Sequence, residues 1–491
     1  MKKWNKSYVE SILEPYFRQA KAHFFLPMLE VNRAHALMLF ECGFLTLSQT
    51  QALLRALRLV KTEKFKYSTR FEDLFFALED RLKIHAGSEA AGNLHIARSR
   101  NDLDAALIRM VLRLEVLKTQ RCLSVFASVL QQKALESVEW LMPGYTHHQP
   151  AQPTTLGHYL AGVLSAILRN FTRLEAAYTN INQSPLGVAA MTGTGFAINR
   201  ARVATLLGFD RLIENGIDAV GAADYSLEML SVLQIAGNTA LRLLFDLQFW
   251  ASQELGFFRI ADGFIQQSSI MPQKRNPVVL EHIRARLAKV TGAVSGAFAM
   301  TSHIPFGDVN DVAEPLLPLS LAAHQETRAA FDLLAQVLLH SSFDQAKMHQ
   351  AAHRHMITAT GLADGLVQKG LHFKEAHRIV SRTVDLLYER GGKVSAALVQ
   401  EAANYPLAIT DAWVEEQLEP RAFIERRVLS GGSAPKIVRQ MLQQAGESLK
   451  QSKRWQRQTS QRLKLATRAL ELQTQAVLNT TSAPDSSHTV D

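Results

Sequence analysis

Ala105-Ala106-Leu107-Ile108-Arg109-Met110-Val111-Leu112-Arg113-Leu114-Glu115-Val116-Leu117 opens a run that reaches Leu141 without a glycine or a proline. Within it Leu107, Met110, Val111, Leu114 and Leu117 recur at the spacing that puts apolar side chains on one helical face. Thirty-seven residues, each rising 1.5 Å, predict a rod of roughly 55 Å. Similar stretches cover 155–181, 224–254, 277–301 and 312–341. Strand-like alternation is scarce, and no repeat of solenoid length recurs along the chain. Five long helices joined by loops predict an all-α fold built on a central long-helix bundle.

The composition is that of a folded body. Of 491 residues, 47% are hydrophobic and 20% charged, which is ample material for a core and excludes disorder for the bulk of the chain. With 26 glycines and two cysteines, collagen-like and disulfide-framed classes fall away. Cys42 and Cys122 lie far apart and read as free thiols of a reducing compartment. The basic start Met1-Lys2-Lys3-Trp4-Asn5-Lys6 is followed by no signal-peptide stretch, and no run of eighteen apolar residues offers a membrane span. A cytoplasmic protein without a membrane partner is the expectation.

The formal net charge is +9, but Lys450, Lys453, Arg454, Arg457, Arg462, Lys464 and Arg468 place seven positive charges in nineteen residues without one acid. The remaining body is close to neutral, so the charge says little about the main site. A basic amphipathic tail over 449–491 can bind nucleic acid, a membrane surface or an acidic neighbour. The plainer reading, and the favoured one, is a terminal helix that packs its few apolar residues, with nucleic acid not an expected partner. The Ser/Thr/Asp-rich end beyond Thr480 reads as disordered.

Unusual chemistry collects in four glycine- or proline-bearing connections. They are His95-Ile96-Ala97-Arg98-Ser99-Arg100-Asn101-Asp102, the stretch from Gly144-Tyr145-Thr146-His147-His148 to Thr154-Thr155, Ser184-Pro185-Leu186-Gly187 through Gly193-Thr194-Gly195, and Gln267-Ser268-Ser269-Ile270-Met271-Pro272-Gln273-Lys274-Arg275-Asn276-Pro277. Asn276 with Pro277 predicts a helix N-cap with proline at the first helical position. Asn101 or Asp102 is placed to cap the long helix, and Thr154 or Thr155 the next. Such starts present unpaired N–H groups and the positive end of a dipole. With Arg100, Lys274 and Arg275 added, they point to a small polyanion such as a dicarboxylate.

His147 is the natural general acid or base among these segments, and Ser268 or Ser269 could serve as a hydroxyl base beside Lys274 and a helix N-terminus. Each has a plainer reading: well-capped helices with surface cations, a structural histidine, serines as loop filler. Other chemistries fit less well. Gly193-Thr194-Gly195 lacks the third glycine and preceding strand of a dinucleotide fingerprint, and no phosphate loop is present. His147-His148 and His353-x-His355 lack the spacing of a helical zinc site, so no metal is expected.

Taken together and in this order, the four loops resemble those of the fumarase/aspartase superfamily, and within it the argininosuccinate lyase branch. The superfamily's Gly-Ser-Ser-x-x-Met-Pro-x-Lys-x-Asn loop is matched by residues 267–276, with Gln267 in place of the leading glycine. Ser99-Arg100-Asn101-Asp102, Gly144-Tyr145-Thr146-His147 and Pro185-Leu186-Gly187 leading to Gly193-Thr194 look like the branch's other site segments. Ala359-Thr360-Gly361-Leu362-Ala363-Asp364, Lys369-Gly370-Leu371-His372 and Gly431-Gly432-Ser433-Ala434-Pro435 extend the likeness to about residue 445. The resemblance implies a three-domain fold, with a helical N-terminal domain over 1–104, the central bundle over 105–355 and a helical C-terminal domain over 356–448. It also implies a homotetramer whose active sites draw residues from three subunits.

The implied activity is that of a carbon–nitrogen lyase: reversible elimination of an N-succinyl substrate to fumarate and an amine or guanidine, without metal or organic cofactor. By the same resemblance Ser268 would be the base and His147, paired with Glu281, would stabilise or protonate. Thr146, Lys274 and Asn276 would bind a carboxylate, and Ser99, Arg100 and Asn101 the other end of the substrate or its second carboxylate. Four positions depart from the branch. A histidine becomes Phe75 in Asp73-Leu74-Phe75, and an arginine becomes Ala223 in Gly221-Ala222-Ala223-Asp224-Tyr225. A Gln-Glu-Asp-Lys segment becomes Asn310-Asp311-Val312-Ala313, and a Gly-Ser becomes Val31-Asn32. All fall on substrate recognition or its supports, so three readings stay open: an argininosuccinate lyase with replaced contacts, a lyase for a different N-substituted aspartate, or a non-catalytic protein on the same scaffold.

Overall fold

The computed structural model describes residues 4–312 and 315–481. A helical N-terminal segment leads into α1 (Phe25–Glu41), α2 (Leu47–Lys61) and α3 (Leu74–Ala86). The long rod is α4 (Arg100–Glu136), followed by a hairpin of β1 (Leu141–Thr146) and β2 (Gln149–Thr155) and then α5 (Leu156–Ile181). Short α6 (Arg200–Leu206) and α7 (Gly216–Gly221) precede α8 (Asp224–Trp250), α9 (Val278–Thr301) and α10 (Leu316–His340). The C-terminal third holds α11 (Ala359–Gln368), α12 (Phe373–Arg390), α13 (Ala396–Ala403), α14 (Asp411–Leu418) and the final α15 (Pro435–Asn479).

The rod has its expected 37 residues but begins and ends five residues earlier. Ser99 sets the start through a capping box with Asp102. At the far end no glycine or proline marks the stop; Ser137 takes up φ −115°, ψ 20° and its hydroxyl donates to the Lys133 carbonyl at 2.6 Å. The expected cap at Asn276 is not formed. Asn276 is extended, paired with Gln266, and α9 starts at Val278 with no side-chain cap. A residue before proline is held away from helical angles, which suits this ladder rather than a helix start. Of the two threonines, Thr155 caps α5 by accepting the His158 N–H.

α4, α5, α8, α9 and α10 pack against one another as the central bundle. Leu107, Phe126, Leu164, Leu233, Ile283 and Phe331 are all buried in its core. At the start of α5, a Cβ on Gly157 would lie 2.6 Å from the Val138 Cα, so only glycine lets the two segments cross this closely. A separate apolar cluster, including Leu362, Leu366, Ile379, Leu386, Val399 and Val414, holds the C-terminal helices together.

The basic stretch is helical, part of the unbroken 45-residue α15. Leu449, Ser452, Thr459, Leu470 and Thr474 are buried, and Trp455 meets Tyr178 edge-on at 5.3 Å. Arg462 pairs with Asp210 at 2.9 Å, and Glu471 receives Arg33 at 2.5 Å and Arg58 at 2.9 Å. This is the packed terminal helix of the plainer reading. The expectation of disorder beyond Thr480 falls mainly on 482–491, outside the described residues. Among the described residues no helix is long and apolar enough to cross a membrane, and Cys42 and Cys122 are free thiols.

Candidate active site

Two of the four connections meet at the first turn of α4. Ser99 Oγ accepts the Asn101 N–H at 3.3 Å, and the Ser99 N–H donates to Asp102 Oδ1 at 3.0 Å. Asp102 is fully buried and turns Oδ2 to the N–H groups of Gly187 (2.8 Å) and Ala189 (3.1 Å). Asn101 Nδ2 donates to the Ala190 carbonyl at 3.2 Å. Burial pushes the Asp102 carboxyl up to about 6, while the three N–H donors and Arg98 pull it down.

The loop is also held from beneath. Buried Arg98 donates to Asn32 Oδ1 at 2.6 Å, and His35 Nε2 lies 2.9 Å from the Ile96 carbonyl. A carbonyl only accepts, so the His35 proton sits on Nε2. Burial and the neighbouring Arg98 lower His35 to about 3, keeping it neutral. Asn32, one of the departures from the branch pattern, is thus a structural acceptor under the loop.

Beside this turn lies a cavity of about 320 Å³, lined by Arg100, Asn101, Asp73, Asp104, Asp308 and Tyr225 among others. Arg100 pairs with Asp73 and, at 3.3 Å, with Asp104, and its guanidinium lies 5.8 Å from the Phe75 ring and 5.9 Å from that of Phe76. Phe75 therefore packs against Arg100. Ala222 and Asn310 line the same cavity, and Ala223 is the N-cap of α8. Ala313 lies outside the described residues. Buried Arg109, a little over two turns along α4, stacks 3.8 Å from the Tyr225 ring and donates to the carbonyls of Asn180 (2.8 Å) and Ile181 (3.3 Å) at the end of α5.

Thr146 and His147 sit at the tip of the β1–β2 hairpin. Thr146 pairs with Gln149, leaving His147 (φ 53°) and His148 (φ 60°) as a two-residue turn with both in the left-handed region. Such turns favour asparagine and glycine, so two histidines here carry backbone strain on the order of 1 kcal/mol each. His148 lies against Phe245 at 5.3 Å, and both histidines are exposed. Behind the hairpin, His158 bridges Thr154 Oγ1 (2.8 Å) and the Gly431 carbonyl (3.2 Å), tying it to the segment that starts α15.

The Ser268 loop closes on itself through the pairs Gln266–Asn276 and Gln267–Arg275. Inside it the N–H groups of Ile270 and Met271 donate to Ser268 Oγ at 3.4 and 3.1 Å. Ile270 is 83% exposed at the tip. Of the three cations expected to attract a polyanion, Arg100 is paired as above and Arg275 is paired with Asp262. Lys274 is exposed and has no acidic partner among the described residues. Glu281 is exposed on the first turn of α9.

Within one chain the candidate residues thus stand in three groups: Ser99, Arg100 and Asn101 at the cavity, Thr146 and His147 at the hairpin tip, and Ser268, Lys274, Asn276 and Glu281 around the start of α9. Sequence reading missed Asp104 and Asp308. Asp104 had a signal, since it lies four residues after Arg100 on one helical face. Asp308 had none, because only the fold brings its loop to α4. Among the described residues no group of three or more His, Cys, Asp or Glu side chains could hold a metal ion.

Comparison with known proteins shows the family and the fold. A lyase family model matches residues 48–292, and an argininosuccinate lyase C-terminal model matches 356–425. Argininosuccinate lyase 1 of Shouchella clausii is 34% identical over 452 residues, covering 90% of this chain and 91% of that protein. A solved EDDS lyase variant with bound fumarate superposes with a TM-score of 0.86 at 30% identity, covering 97% of both chains. A class II fumarase of Schistosoma mansoni shares the fold, with a TM-score of 0.66 at 17% identity over 80% of this chain and 88% of that one. With both family models matched and the likeness running nearly end to end, the chain belongs to the argininosuccinate lyase family of carbon–nitrogen lyases.

Proposed function

We propose that this lyase catalyses the reversible elimination of an N-succinyl, argininosuccinate-type substrate to fumarate and an amine or guanidine, arginine being the product if the substrate is argininosuccinate itself. Ser268 takes a proton from the carbon beside a succinyl carboxylate. The electron pair left behind forms the C=C bond, the C–N bond breaks, and the nitrogen keeps that pair and is protonated as it leaves. The removed proton is weakly acidic, so both the base and the aci-carboxylate need electrostatic help.

The observation that carries the reading is the pair of N–H groups, from Ile270 and Met271, already directed at Ser268 Oγ, where they stabilise an alkoxide. Lys274, Asn276 and Thr146 bind the carboxylate and bear its growing charge. His147, oriented by Glu281, stabilises or protonates, and Ser99, Arg100 and Asn101 hold the other end of the substrate or its second carboxylate.

A homotetramer with shared sites goes with this reading, and residues 1–104, 105–355 and 356–448 serve as its three domains. Leu114, Phe245, Phe298 and Leu339 are exposed on the long helices and offer an apolar face to further copies. The placement of the three residue groups on three different connections of one chain supports sites completed by neighbours. Light scattering should return four chains per particle; a monomer would remove the shared-site reading.

Incubation with argininosuccinate, followed by the ultraviolet absorbance of fumarate, tests the activity. Ser268→Ala should lower kcat by about 10³-fold, roughly 4 kcal/mol, without unfolding the protein. Activity that survives the substitution would show another base. No turnover of argininosuccinate, nor of fumarate with any amine, would favour a non-catalytic role.

A further inference from the structure

The β1–β2 hairpin that carries Thr146 and His147 is a weak ladder. Pro143, Pro150 and Pro153 stand in its strands with no N–H to donate, and Pro143 faces Pro153 directly. A register shift between Gly144 and Tyr145 loosens the pairing further toward the tip. Even with a full set of ladder bonds, a lone two-stranded hairpin is marginal in water. At the base the Leu156 N–H donates to the Trp140 carbonyl at 2.9 Å, which fixes the ends of the strands. The freedom left is a tilt about the facing prolines.

His158 stands beside that pivot. It lies in the first turn of α5, where its N–H donates to Thr155 Oγ1 at 3.1 Å. Its ring meets Thr154 Oγ1, one residue beyond Pro153, through Nδ1 at 2.8 Å, and the Gly431 carbonyl through Nε2 at 3.2 Å. The carbonyl only accepts, so Nε2 carries the proton and Nδ1 accepts from the Thr154 hydroxyl. Burial lowers the His158 pKa, which keeps the ring in this neutral form.

The Gly431 end is itself stiff. The Arg427 carbonyl accepts the Ala434 N–H at 3.3 Å, and Arg427 pairs with Asp364 at 2.9 Å. A Cβ on Gly432 would strike the same Arg427 carbonyl oxygen. Gly431-Gly432-Ser433-Ala434-Pro435 thus acquires a task, which is to hold one carbonyl at a fixed place behind the hairpin. A second tie, from Gln152 Nε2 to Thr360 Oγ1 at 2.9 Å, joins β2 to α11. All these contacts lie within one chain, so they stand whichever copies complete the site.

We propose that His158 is a positioning residue: braced on Gly431, it sets the angle at which the hairpin presents Thr146 and His147. This rests on the lyase reading and on His147 taking part in it. Five residues at about 3.3 Å each put the tip roughly 17 Å from Thr154, so a tilt of about 4° moves it by about 1 Å. A shift of that size in a reacting group costs on the order of 10²-fold in rate. The effect passes through Thr154 and the strand, not through contact with substrate.

His158→Ala removes both ring contacts, whereas His158→Gln keeps a donor and an acceptor on a neutral side chain. Hydrogen exchange read by mass spectrometry follows the hairpin in the full chain. Cleavage of argininosuccinate, or addition of fumarate to an amine that the wild type accepts, follows the chemistry. In His158→Ala, exchange over 141–152 should rise about tenfold or more while the buried middle of α5 stays protected. kcat/KM should fall by about 100-fold, and His158→Gln should recover most of both changes. In a His147→Ala background the same His158→Ala change should cost no more than about tenfold, because one of the two groups it positions is gone.

Unchanged hairpin exchange in His158→Ala would overturn the proposal, as would equal losses of rate with and without His147. Thr154→Val, which deletes only the hydroxyl, should show the same changes in smaller measure and decides the matter if the alanine variant fails to fold. A wild type that turns over neither argininosuccinate nor fumarate with any amine would remove the lyase reading, and this proposal with it. An active wild type whose variants keep their hairpin protection removes the proposal alone.

Discussion

Asp102 shows how one side chain can organise two site segments. Its carboxylate caps α4 through the Ser99 N–H and at the same time holds Gly187 and Ala189 of a connection far along the chain. Replacing it with alanine leaves three N–H groups without their acceptor, at an expected cost of about 2–4 kcal/mol. Asp102→Ala should accordingly lower the chemical denaturation midpoint and expose the 187–190 backbone to hydrogen exchange. An unchanged midpoint would mean that water replaces the carboxylate. The Ser-Arg-Asn-Asp motif was legible in sequence, but only as a set of candidate caps and ligands. That its last residue is the buried strut emerged because Gly187 lies within reach in space, which no spacing rule encodes.

At the scale of the element, α15 is the clearest case of context deciding a role. Its charges read as a tail, and its apolar residues are sparse. Yet Leu449 and Leu470 are buried, Trp455 lies against Tyr178, and salt bridges tie its end to α1 and α2. Leu470→Ala should cost about 2–5 kcal/mol, read as a fall in thermal midpoint. Truncation after Leu449 should give an unstable or insoluble chain, because it exposes apolar surface of α4 and α5. A truncated protein of normal stability would make the helix an accessory. The long central helices were legible because glycine-free apolar periodicity is a local signal. Their ends were less so: Asn276-Pro277 looked like a cap, but the ladder with Gln266 and Gln267 held it extended.

At the scale of the whole molecule, buried histidines should govern acid sensitivity. Burial lowers His35 and His324 to about 3, and both therefore stay neutral in the folded protein. The unfolded chain protonates them near pH 6.5, so their contribution is complete above that value and is lost as the pH falls below it. Asp102 acts in the opposite sense, since a raised carboxyl favours the folded state as the pH drops through about 6. Together the three groups should cost about 2 kcal/mol of stability between pH 7.5 and 5.5. Denaturant titrations at the two pH values check this. In His324→Gln, which can still reach Thr119, the loss should shrink by about 1 kcal/mol. An unaltered pH dependence would mean that His324 is protonated in place.

The sequence by itself determined the helical bundle and the family and proposed the reactive side chains, because helix formation follows local periodicity and the family's loops, with Ser268, His147 and Lys274 in them, are short contiguous motifs. Only the tertiary structure decided which residues share a cavity, that Arg100 is neutralised by Asp73 and Asp104, and that the basic stretch is a packed helix. The physical reason is that charge balance and burial are sums over neighbours in space. Asp308, Tyr225 and Arg100 belong to distant parts of the chain, and their combined field exists only once the chain has folded.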